Sequence, residues 1–264
     1  MAIKCKIISH TNKQKKCFDR KVGILIPAYN EVAHIAEVIE ACRALEPEII
    51  FVVDDCSSDA TPLILEKEIK NESGAVKVRA LRNVRNLGKQ GSVRRGLRIL
   101  SDYGLDAVCL IDGDSQHDPA ELPGLVALLD EFDFVIGARS KKNMPLQRKL
   151  SNWLVNLGFQ LIGGVNFVDV QSGLRVYRKE MADVLGDRLC EEGGYALEHE
   201  SLTVLANFSK ETGCQLRVAA APISCAYGKA ASSIQPFHVL QLGYETIRQA
   251  LRLRKAIEEP AYVG

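Results

Sequence analysis

Short apolar runs rich in β-branched residues alternate with segments of helical periodicity along the first part of the chain, and this alternation restricts the fold more than any other feature. The first intervening segment places Val32, Ile35, Ile39 and Cys42 at i, i+3, i+7 and i+10, which is one face of a helix. Such alternation predicts an α/β fold, with a mostly parallel sheet covered by helices on both faces. The predicted strands are Val22–Ile26, Ile49–Val53, Val76–Ala80 and Ala107–Ile111.

The later connections carry similar signals. Ser57, Ser58 and Asp59 precede Thr61-Pro62, which is typical of a helix N-terminus. The third connection repeats apolar residues at Val93, Leu97 and Leu100, and a fifth strand, Phe134–Gly137, extends the predicted sheet.

Composition limits the kind of protein this can be. With 264 residues and 47% hydrophobic content, the chain can form one large domain or a domain with a tail. The charges, 34 Lys plus Arg against 33 Asp plus Glu, provide no general attraction to nucleic acid, so we expect no nucleic-acid partner. Eight cysteines without a C-x-x-C pair suit a reduced, cytoplasmic protein. Residues 1–21 are basic and lack an apolar signal region, which predicts a solvated tail, with an arm that touches the membrane as the alternative.

Acidic residues follow three of the predicted strands. In a parallel sheet the carboxyl ends of the strands share one edge, which is where ligands bind, so these acids should converge. Crowded carboxylates repel each other unless a cation or hydrogen-bond donors compensate. A single acid at such a place, Asp59 for example, can equally be a helix cap. The converging residues are Glu31, Asp54, Asp55, Asp112 and Asp114.

The stretch Asp112-Gly113-Asp114 has the chemistry of a hard-cation site. Aspartates at i and i+2 share a face, and the glycine lets the chain bend so that both approach one ion. Oxygen ligands without His or Cys favour Mg²⁺ or Mn²⁺. Because Mg²⁺ completes its shell with substrate phosphates, a phosphorylated substrate is implied. Taken alone, the same three residues are also typical of an ordinary turn.

Several longer motifs occur in one order: ILIPAYNE (24–31), VVDDCSSDAT (52–61), NLGKQGSVRRGL (86–97), LIDGDSQHDP (110–119), VIGAR (135–139), DVQSGLRVYR (169–178) and APISCAYGKAASSIQP (221–236). In these motifs the chain resembles the GT-A glycosyltransferases of family 2, especially the branch that includes dolichyl-phosphate mannose synthase and the bacterial polyprenyl-phosphate sugar transferases. The resemblance runs from Val22 to Pro236, so it implies a GT-A domain with a Rossmann-like sheet over 22–236.

The resemblance also implies a reaction and a donor site. The expected enzyme is an inverting hexosyltransferase that uses Mg²⁺ or Mn²⁺ and moves a hexose from GDP-mannose or UDP-glucose to a polyprenyl or dolichyl phosphate. A hydroxyl acceptor, soluble or on a glycan, stays an alternative, as does a noncatalytic nucleotide-sugar-binding protein. The implied ligands of the nucleotide sugar are Pro27, Tyr29, Glu31, Asp54, Asp55, Asp112, Gly113 and Asp114, and those of the metal are Asp112, Asp114 and Gln116.

The acceptor side is implied in the same way. Arginine suits a lipid phosphate because its planar fork binds phosphate oxygens in pairs. Asp169 matches a family carboxylate near the reaction centre, as a base or an orienting group, and could instead cap a turn. Glu198 and Glu200 match a further acidic element or face solvent, and His199 is interpreted as packed or solvated. The implied acceptor-phosphate residues are Arg139, Arg148, Ser151, Gln171, Ser172 and Lys229, and the implied catalytic residues are Asp114, Asp169 and Arg139.

Two segments bear on the membrane. Leu150, Trp153, Leu154, Leu157 and Leu161 form an apolar stripe, which suits a helix at the membrane interface or one packed on the sheet. Residues 237–264 are predicted as a basic amphipathic helix and tail that binds anionic lipid or a second subunit, which would make a homo-oligomer. The polar residues within Leu150–Val168 argue against a transmembrane helix, so we expect at most peripheral contact with the cytoplasmic membrane face.

Overall fold

The computed structural model describes residues 4–9, 17–71, 76–140, 146–161, 168–192, 197–225 and 246–255. Strands and helices alternate through most of this length, as the sequence predicted. The strands are β1 (Lys4–Ile7), β2 (Val22–Ala28), β3 (Ile49–Asp54), β4 (Lys77–Arg82), β5 (Ala107–Leu110), β6 (Phe134–Arg139), β7 (Arg175–Arg178) and β8 (Arg217–Ile223). The helices are α1 (Ile35–Arg43), α2 (Thr61–Lys70), α3 (Gly88–Leu100), α4 (Leu122–Ala127), α5 (Leu146–Leu161), α6 (Lys179–Arg188), α7 (Leu197–Thr212) and α8 (246–255).

The eight strands form one sheet in the order β1-β8-β6-β7-β5-β2-β3-β4. All neighbouring strands run parallel except at β7, which pairs antiparallel with both β5 and β6. The predicted fifth strand, β6, therefore extends the sheet but does not pair with β5. Because β7 runs the other way, it begins at the edge where β5 and β6 end, with Arg175 opposite Leu110 and Ile136.

Each face of the sheet carries its own hydrophobic core, because successive residues of a strand point to opposite faces. In β2, Leu25 packs with α3, α6 and α7, whereas Ile24 and Ile26 pack with α1, α2 and α4. Helix α8 joins the first of these cores through Ala250 and Leu253. The predicted mostly parallel sheet covered by helices on both faces is confirmed.

Three details differ from the sequence predictions. The solvated tail is wrong over Lys4–Ile7, which forms the edge strand β1 paired with β8. Four residues with alternating lysines are too short and too polar to signal a strand, and the pairing partner lies more than 200 residues away. Val32 is exposed and precedes α1, and β4 begins at Lys77 rather than Val76.

The C-terminal segment is described only in part. Residues 246–255 are helical, while the rest of the predicted 237–264 segment lies outside the described residues. None of the described helices combines the length and the apolarity that a membrane span requires.

His199 gives the fold a testable pH dependence. It lies in α7, where burial lowers the pKa of the imidazole from 6.5 to about 4, against the opposing effect of Glu198. Between these two values the unfolded chain binds a proton that the folded protein does not, so the free energy of unfolding should fall as the pH drops, by about 3 kcal/mol in total. Urea denaturation between pH 7 and pH 4 measures this slope.

Two variants separate His199 from other groups that titrate in this range. His199→Leu keeps an apolar group of similar size in the core, so its stability should depend less on pH than that of the wild type. His34→Leu changes an exposed histidine and should leave the slope as it is. Equal slopes in all three proteins would contradict the assignment.

Candidate active site

Left-handed backbone conformations mark the loops that follow β2, β3 and β5. Asn30, Cys56 and Ser115 have φ angles of 57°, 62° and 57°. Residues other than glycine seldom adopt this region, and such conformations concentrate at functional sites. All three loops leave the carboxyl edge of the sheet, so the strained positions surround the place where the sequence predicts a ligand.

Asn30 joins the first two of these loops. Its backbone N–H donates to Ser57 Oγ at 2.9 Å, and its side-chain Oδ1 accepts from the Ser58 N–H at 2.8 Å. Asp59 strengthens the junction because its carboxylate accepts from the N–H groups of Thr61 and Val32. Asp59 is therefore a capping residue, one of the two alternatives that the sequence left open.

The two aspartates at the end of β3 are both buried but have different partners. Asp54 accepts from the Ser57 N–H at 3.1 Å, and its Oδ2 lies 3.3 Å from Nε of Arg82. Oδ1 of Asp55 accepts from Asn83 Nδ2 at 2.7 Å and from the Leu87 N–H at 2.8 Å. Asp55 thus holds the loop after β4 in place. These contacts were not expected from its predicted role as a nucleotide ligand.

Glu31 lies against the Asp112-Gly113-Asp114 turn. A Cβ on Gly113 would be 3.5 Å from Cγ of Glu31, so the two loops touch. The pKa of Glu31 is raised to about 7, chiefly by burial and in addition by the charges of Asp114 and Asp112. The predicted convergence of acids at this edge is therefore present for Glu31, Asp112 and Asp114, and it creates a negative potential that a cation would relieve.

Lys89 supplies part of the positive charge that offsets these carboxylates. Its Nζ lies 2.7 Å from Oδ1 of Asp112 and 2.8 Å from Oε1 of Glu198. Burial alone would lower the pKa of Lys89, but the two carboxylates outweigh it and raise the pKa. Lys89 belongs to the NLGKQGSVRRGL motif, but its role could not be predicted from the sequence. Only the fold brings Lys89 close to Asp112 and Glu198.

The carboxylates suit a metal that is completed by its substrate. Within the described ranges, no three His, Cys, Asp or Glu side chains form a metal site by themselves. Mg²⁺ and Mn²⁺ commonly bind one or two carboxylates and take their other ligands from water and substrate phosphates, so Asp112 and Asp114 fit such an ion. Asp114 also accepts from the Gln116 N–H at 3.0 Å, which holds the loop closed.

The loop before β7 packs directly against the acidic turn. A Cβ on Gly173 would lie 2.1 Å from Oδ2 of Asp112, a separation that real atoms do not reach. Glycine is therefore required here for steric reasons, since any side chain would push the Asp112 carboxylate away. The neighbouring Ser172 is fully buried, and its Oγ has no hydrogen-bond partner among the described residues.

Arg139 and Asp169 form a buried ion pair beside this loop. The guanidinium donates from Nε to Oδ2 and from Nη2 to Oδ1, both at 2.8 Å, and the Arg139 backbone N–H donates to Oδ2 at 3.0 Å. Asn152 of α5 adds a bond to Oδ1 at 2.9 Å, and Asn156 holds Asn152 in place. Both oxygens of Asp169 are thus occupied, which favours an orienting role over that of a base.

Arg175 anchors the same loop from inside the protein. This fully buried guanidinium donates to the carbonyl oxygens of Ser172 and Val170 and to Oγ of Ser201 in α7. Its charged plane also lies over the ring of Phe134, 5.5 Å from the centroid. The loop that carries Asp169 is therefore tied to the helix that carries Glu198.

His117 is where the acidic and basic parts of the site meet. The imidazole is buried, and its Nδ1 has no hydrogen-bond partner in the described part of the chain. Burial lowers the pKa of His117; the charges of Asp112 and Asp114 oppose this effect, whereas that of Arg139 adds to it. The charges of the two carboxylates and of the guanidinium thus all lie near enough to His117 to act on this one buried group.

The remaining predicted residues divide into two groups. Pro27 is buried in β2, Tyr29 is 49% exposed in the loop after β2, and Gln171 is partly buried in the loop before β7. In the other group, the side chains of Arg148 and Ser151, on α5, and the whole of Lys229 lie outside the described residues. Cys225, four residues before Lys229, pairs with His117 in an isolated β-bridge.

Helix α7 settles the alternatives for its three polar residues. Glu198 contacts Lys89, Glu200 accepts from the Cys190 N–H at 3.0 Å, and His199 is packed in the core. The two acids are therefore not simply solvated, and the interpretation of His199 as a packed residue is confirmed.

Comparison with solved structures defines the class of fold. Glucosyl-3-phosphoglycerate synthase from Mycobacterium tuberculosis, crystallised with Mn²⁺, uridine diphosphate and phosphoglyceric acid, superposes with a TM-score of 0.64 at 18% identity. The match covers 99% of this chain and 89% of that one. The predicted GT-A fold is thereby confirmed.

Comparison of sequences gives the family. The model of glycosyl transferase family 2 matches residues 23–186, so the chain belongs to this family and is a glycosyltransferase. A UDP-N-acetylglucosamine–dolichyl-phosphate N-acetylglucosaminyltransferase from Methanococcus voltae is 31% identical over 65% of this chain and 74% of the relative. An undecaprenyl-phosphate mannosyltransferase from Micrococcus luteus is 28% identical over 67% of this chain and 74% of the relative.

The contact between Gly173 and Asp112 predicts a sharp difference between two glycine variants. Gly173→Ala should displace the Asp112 carboxylate and weaken Mn²⁺-dependent binding of a nucleoside diphosphate at least tenfold, at a cost of about 1–3 kcal/mol in stability. Gly186→Ala in α6 is the matched control, because its added Cβ would meet Arg98 and Leu97 of α3 at 3.2–3.3 Å, away from the acidic turn. Titration calorimetry with UDP and GDP measures both variants, and equal affinities would contradict the steric argument.

Proposed function

We propose that the protein is an inverting, metal-dependent transferase that moves a hexose from a nucleotide sugar to a polyprenyl phosphate. The observation that carries this proposal is the packing of the loop that bears Asp169, the ion-pair partner of Arg139, against the acidic turn, where a Cβ on Gly173 would lie 2.1 Å from Oδ2 of Asp112. A carboxylate pair suits a metal ion on the donor diphosphate, and a guanidinium suits a second phosphate. The relatives named for transfer to dolichyl and undecaprenyl phosphate support this acceptor class.

The donor side consists of the loops after β2, β3 and β5. Buried Asp54 and exposed Tyr29 bound the space for the nucleobase and ribose, and Glu31 adjoins the Asp112-Gly113-Asp114 turn. When bound there, Mg²⁺ or Mn²⁺ supplies positive charge to the departing nucleoside diphosphate. The ion pair with Lys89 favours the ionised form of Asp112, whose pKa it lowers against the effect of burial.

The acceptor class is inferred from Asp169, because both of its carboxylate oxygens already accept hydrogen bonds. A hydroxyl acceptor needs a general base, whereas a lipid phosphate is already an anion at neutral pH and needs orientation and charge compensation. Asp169 accepts four hydrogen bonds and fixes the guanidinium of Arg139, which suits the second task. Because Asp169 also neutralises Arg139, we assign further positive charge for the phosphate to Arg148 and Lys229.

The limits of the domain remain part of the proposal. We assign the transferase domain to 22–236 and a separate C-terminal segment to 237–264, with β1 as an added edge strand. Helix α8 packs on the core through Ala250 and Leu253, so the C-terminal segment is joined to the domain.

A two-stage assay tests the reaction. We expect one of UDP-glucose, UDP-N-acetylglucosamine and GDP-mannose to raise the melting temperature with Mn²⁺ but not with EDTA, since binding to the folded state stabilises it. That donor should then glycosylate undecaprenyl phosphate. Asp114→Ala should lower the rate about 10²–10³-fold, because it removes charge stabilisation at the leaving group.

Asp118→Ala is the matched control for Asp114→Ala. Asp118 lies four residues after Asp114, is exposed and caps the Ala120 N–H, so its loss should affect stability slightly and transfer little. Transfer that persists in EDTA would refute the metal assignment. Transfer to undecaprenol or 3-phosphoglycerate in preference to undecaprenyl phosphate would refute the acceptor class, and donor binding without turnover would refute the enzymatic proposal.

We also propose that the protein contacts the membrane through α5 and α8. Trp153, Leu154 and Leu161 of α5 are 53%, 48% and 71% exposed, so these members of the predicted stripe do not pack on the sheet. A Cβ on Gly158 would lie 2.9 Å from Cγ2 of Thr246, which means that α5 and α8 touch. Exposed Ile247 and Leu251 therefore extend an apolar surface of the kind that inserts into a membrane interface.

Trp153→Ser tests this contact. Removing a large apolar side chain from the interface should weaken sedimentation with phosphatidylglycerol vesicles about tenfold or more. Tyr103→Ser, which changes an exposed aromatic residue elsewhere, should sediment like the wild type. Equal sedimentation of both variants would show that α5 does not enter the interface.

A further inference from the structure

A cleft between α7 and α8 lies apart from the acidic turn. It has a volume of about 400 Å³, within the range of small-molecule sites. Glu198 and Glu200 are two residues apart on α7, so their side chains diverge by about 200°, and only Glu198 contacts Lys89. The polar residues that matter for the cleft are Glu200, Thr203 and Lys210 on α7 and Gln249, Arg252 and Lys255 on α8.

Gln249 is the first sign that the cleft binds a ligand. Its side chain is fully buried and lines the cleft, yet neither Oε1 nor Nε2 has a hydrogen-bond partner within the described part of the chain. Leaving a buried polar group unpaired is costly, and native proteins contain few such groups. A primary amide that can both donate and accept is therefore available to a bound molecule.

The positive charge of the cleft is a second, independent sign that it binds a ligand. Lys210, Arg252 and Lys255 line the cleft with Glu200 as the acid among its lining residues. Lys210 and Arg252 form no ion pair with any described residue, and Oε1 of Glu200 is already bonded to the Cys190 N–H. Cations that share one concave surface repel each other, and an anion between them removes that cost.

We propose that this cleft binds a phosphate ester that also carries a hydroxyl group. Arg252 and Lys210 bind the phosphate oxygens, for which the arginine fork is suited. The Gln249 amide donates to the ester, and the carboxylate of Glu200 accepts from the hydroxyl group. Thr203, which is buried on α7, offers a further hydroxyl at the same wall.

Two sources provide this chemistry: a free metabolite phosphate and the headgroup of a phospholipid. Exposed Ile247 and Leu251 lie on the same helix as Gln249, so a headgroup could reach the cleft if α8 rests on a membrane. The site is independent of the transfer reaction, since none of its residues belongs to the donor or acceptor set.

Paired charge variants test the site. We expect sn-glycerol 3-phosphate to bind, and Arg252→Gln and Lys210→Gln to weaken its binding at least tenfold in titration calorimetry. Arg254→Gln removes the same charge from the same helix at an exposed position that does not line the cleft, and it should change affinity less than twofold. The donor site is intact in all three variants, so a phosphate bound there cannot produce the difference.

Binding to lipid vesicles distinguishes a phospholipid headgroup from a free metabolite phosphate. If the ligand is a headgroup, the affinity of Arg252→Gln for phosphatidylglycerol vesicles should be about tenfold lower than that of Arg254→Gln. The two variants should then not differ in binding to phosphatidylcholine vesicles or to the soluble ester. If neither the ester nor the vesicles distinguishes Arg252→Gln from Arg254→Gln, the proposal is overturned.

Gln249→Leu provides a test that does not depend on charge. Leucine has similar size, and the native amide lacks a partner, so the melting temperature without ligand should not fall. The rise in melting temperature that the ester or the vesicles produce in the wild type should be lost. A lower melting temperature together with an undiminished rise would mean that Gln249 serves the fold alone, and it would overturn the proposal.

Discussion

The bridge from Lys89 to Asp112 and Glu198 is the interaction on which the arrangement of the site depends. It joins three distant parts of the chain: the start of α3, the turn after β5 and the first turn of α7. Without a cation, the acids beside Glu31 would repel each other, and their ionised forms would be costly in a partly buried site. The bridge lets the protein keep a concentrated negative charge at the edge of the sheet where we propose that a metal ion and a diphosphate bind.

Two other buried contacts make this edge rigid. Arg175 fastens the loop before β7 to α7, and Asp169 fixes Arg139 with the help of α5. The loop is then so close to the acidic turn that Gly173 has no room for a side chain beside Asp112. The residues proposed for the metal and those proposed for the acceptor phosphate are therefore held by one connected set of hydrogen bonds, which is how a rigid frame positions functional side chains to within tenths of an ångström.

The sequence predicted the parts of the molecule that depend on local patterns. Apolar periodicity located β2, β3 and β5 to within a few residues, and the acids that follow β2 and β5 were correctly expected to meet, because parallel strands share an edge. Lys89, Asn152 and Arg175 could not be found in this way, since each acts through a partner 17 or more residues away or through buried carbonyl groups. Strand β1 was not predicted for the same reason, because its only signal is its pairing with β8, almost the whole chain away.

The reversed direction of β7 has a consequence for how such an enzyme can change over time. The groups assigned to the donor come from one continuous stretch, from β2 to the turn after β5, whereas those assigned to the acceptor come from the end of β6, from α5 and from the loop that β7 brings back. Substitutions in one half need not alter the other, provided that they keep Gly173 beside Asp112. A single ancestral scaffold could thus be retuned to new lipids while it kept its nucleotide, or to new sugars while it kept its membrane.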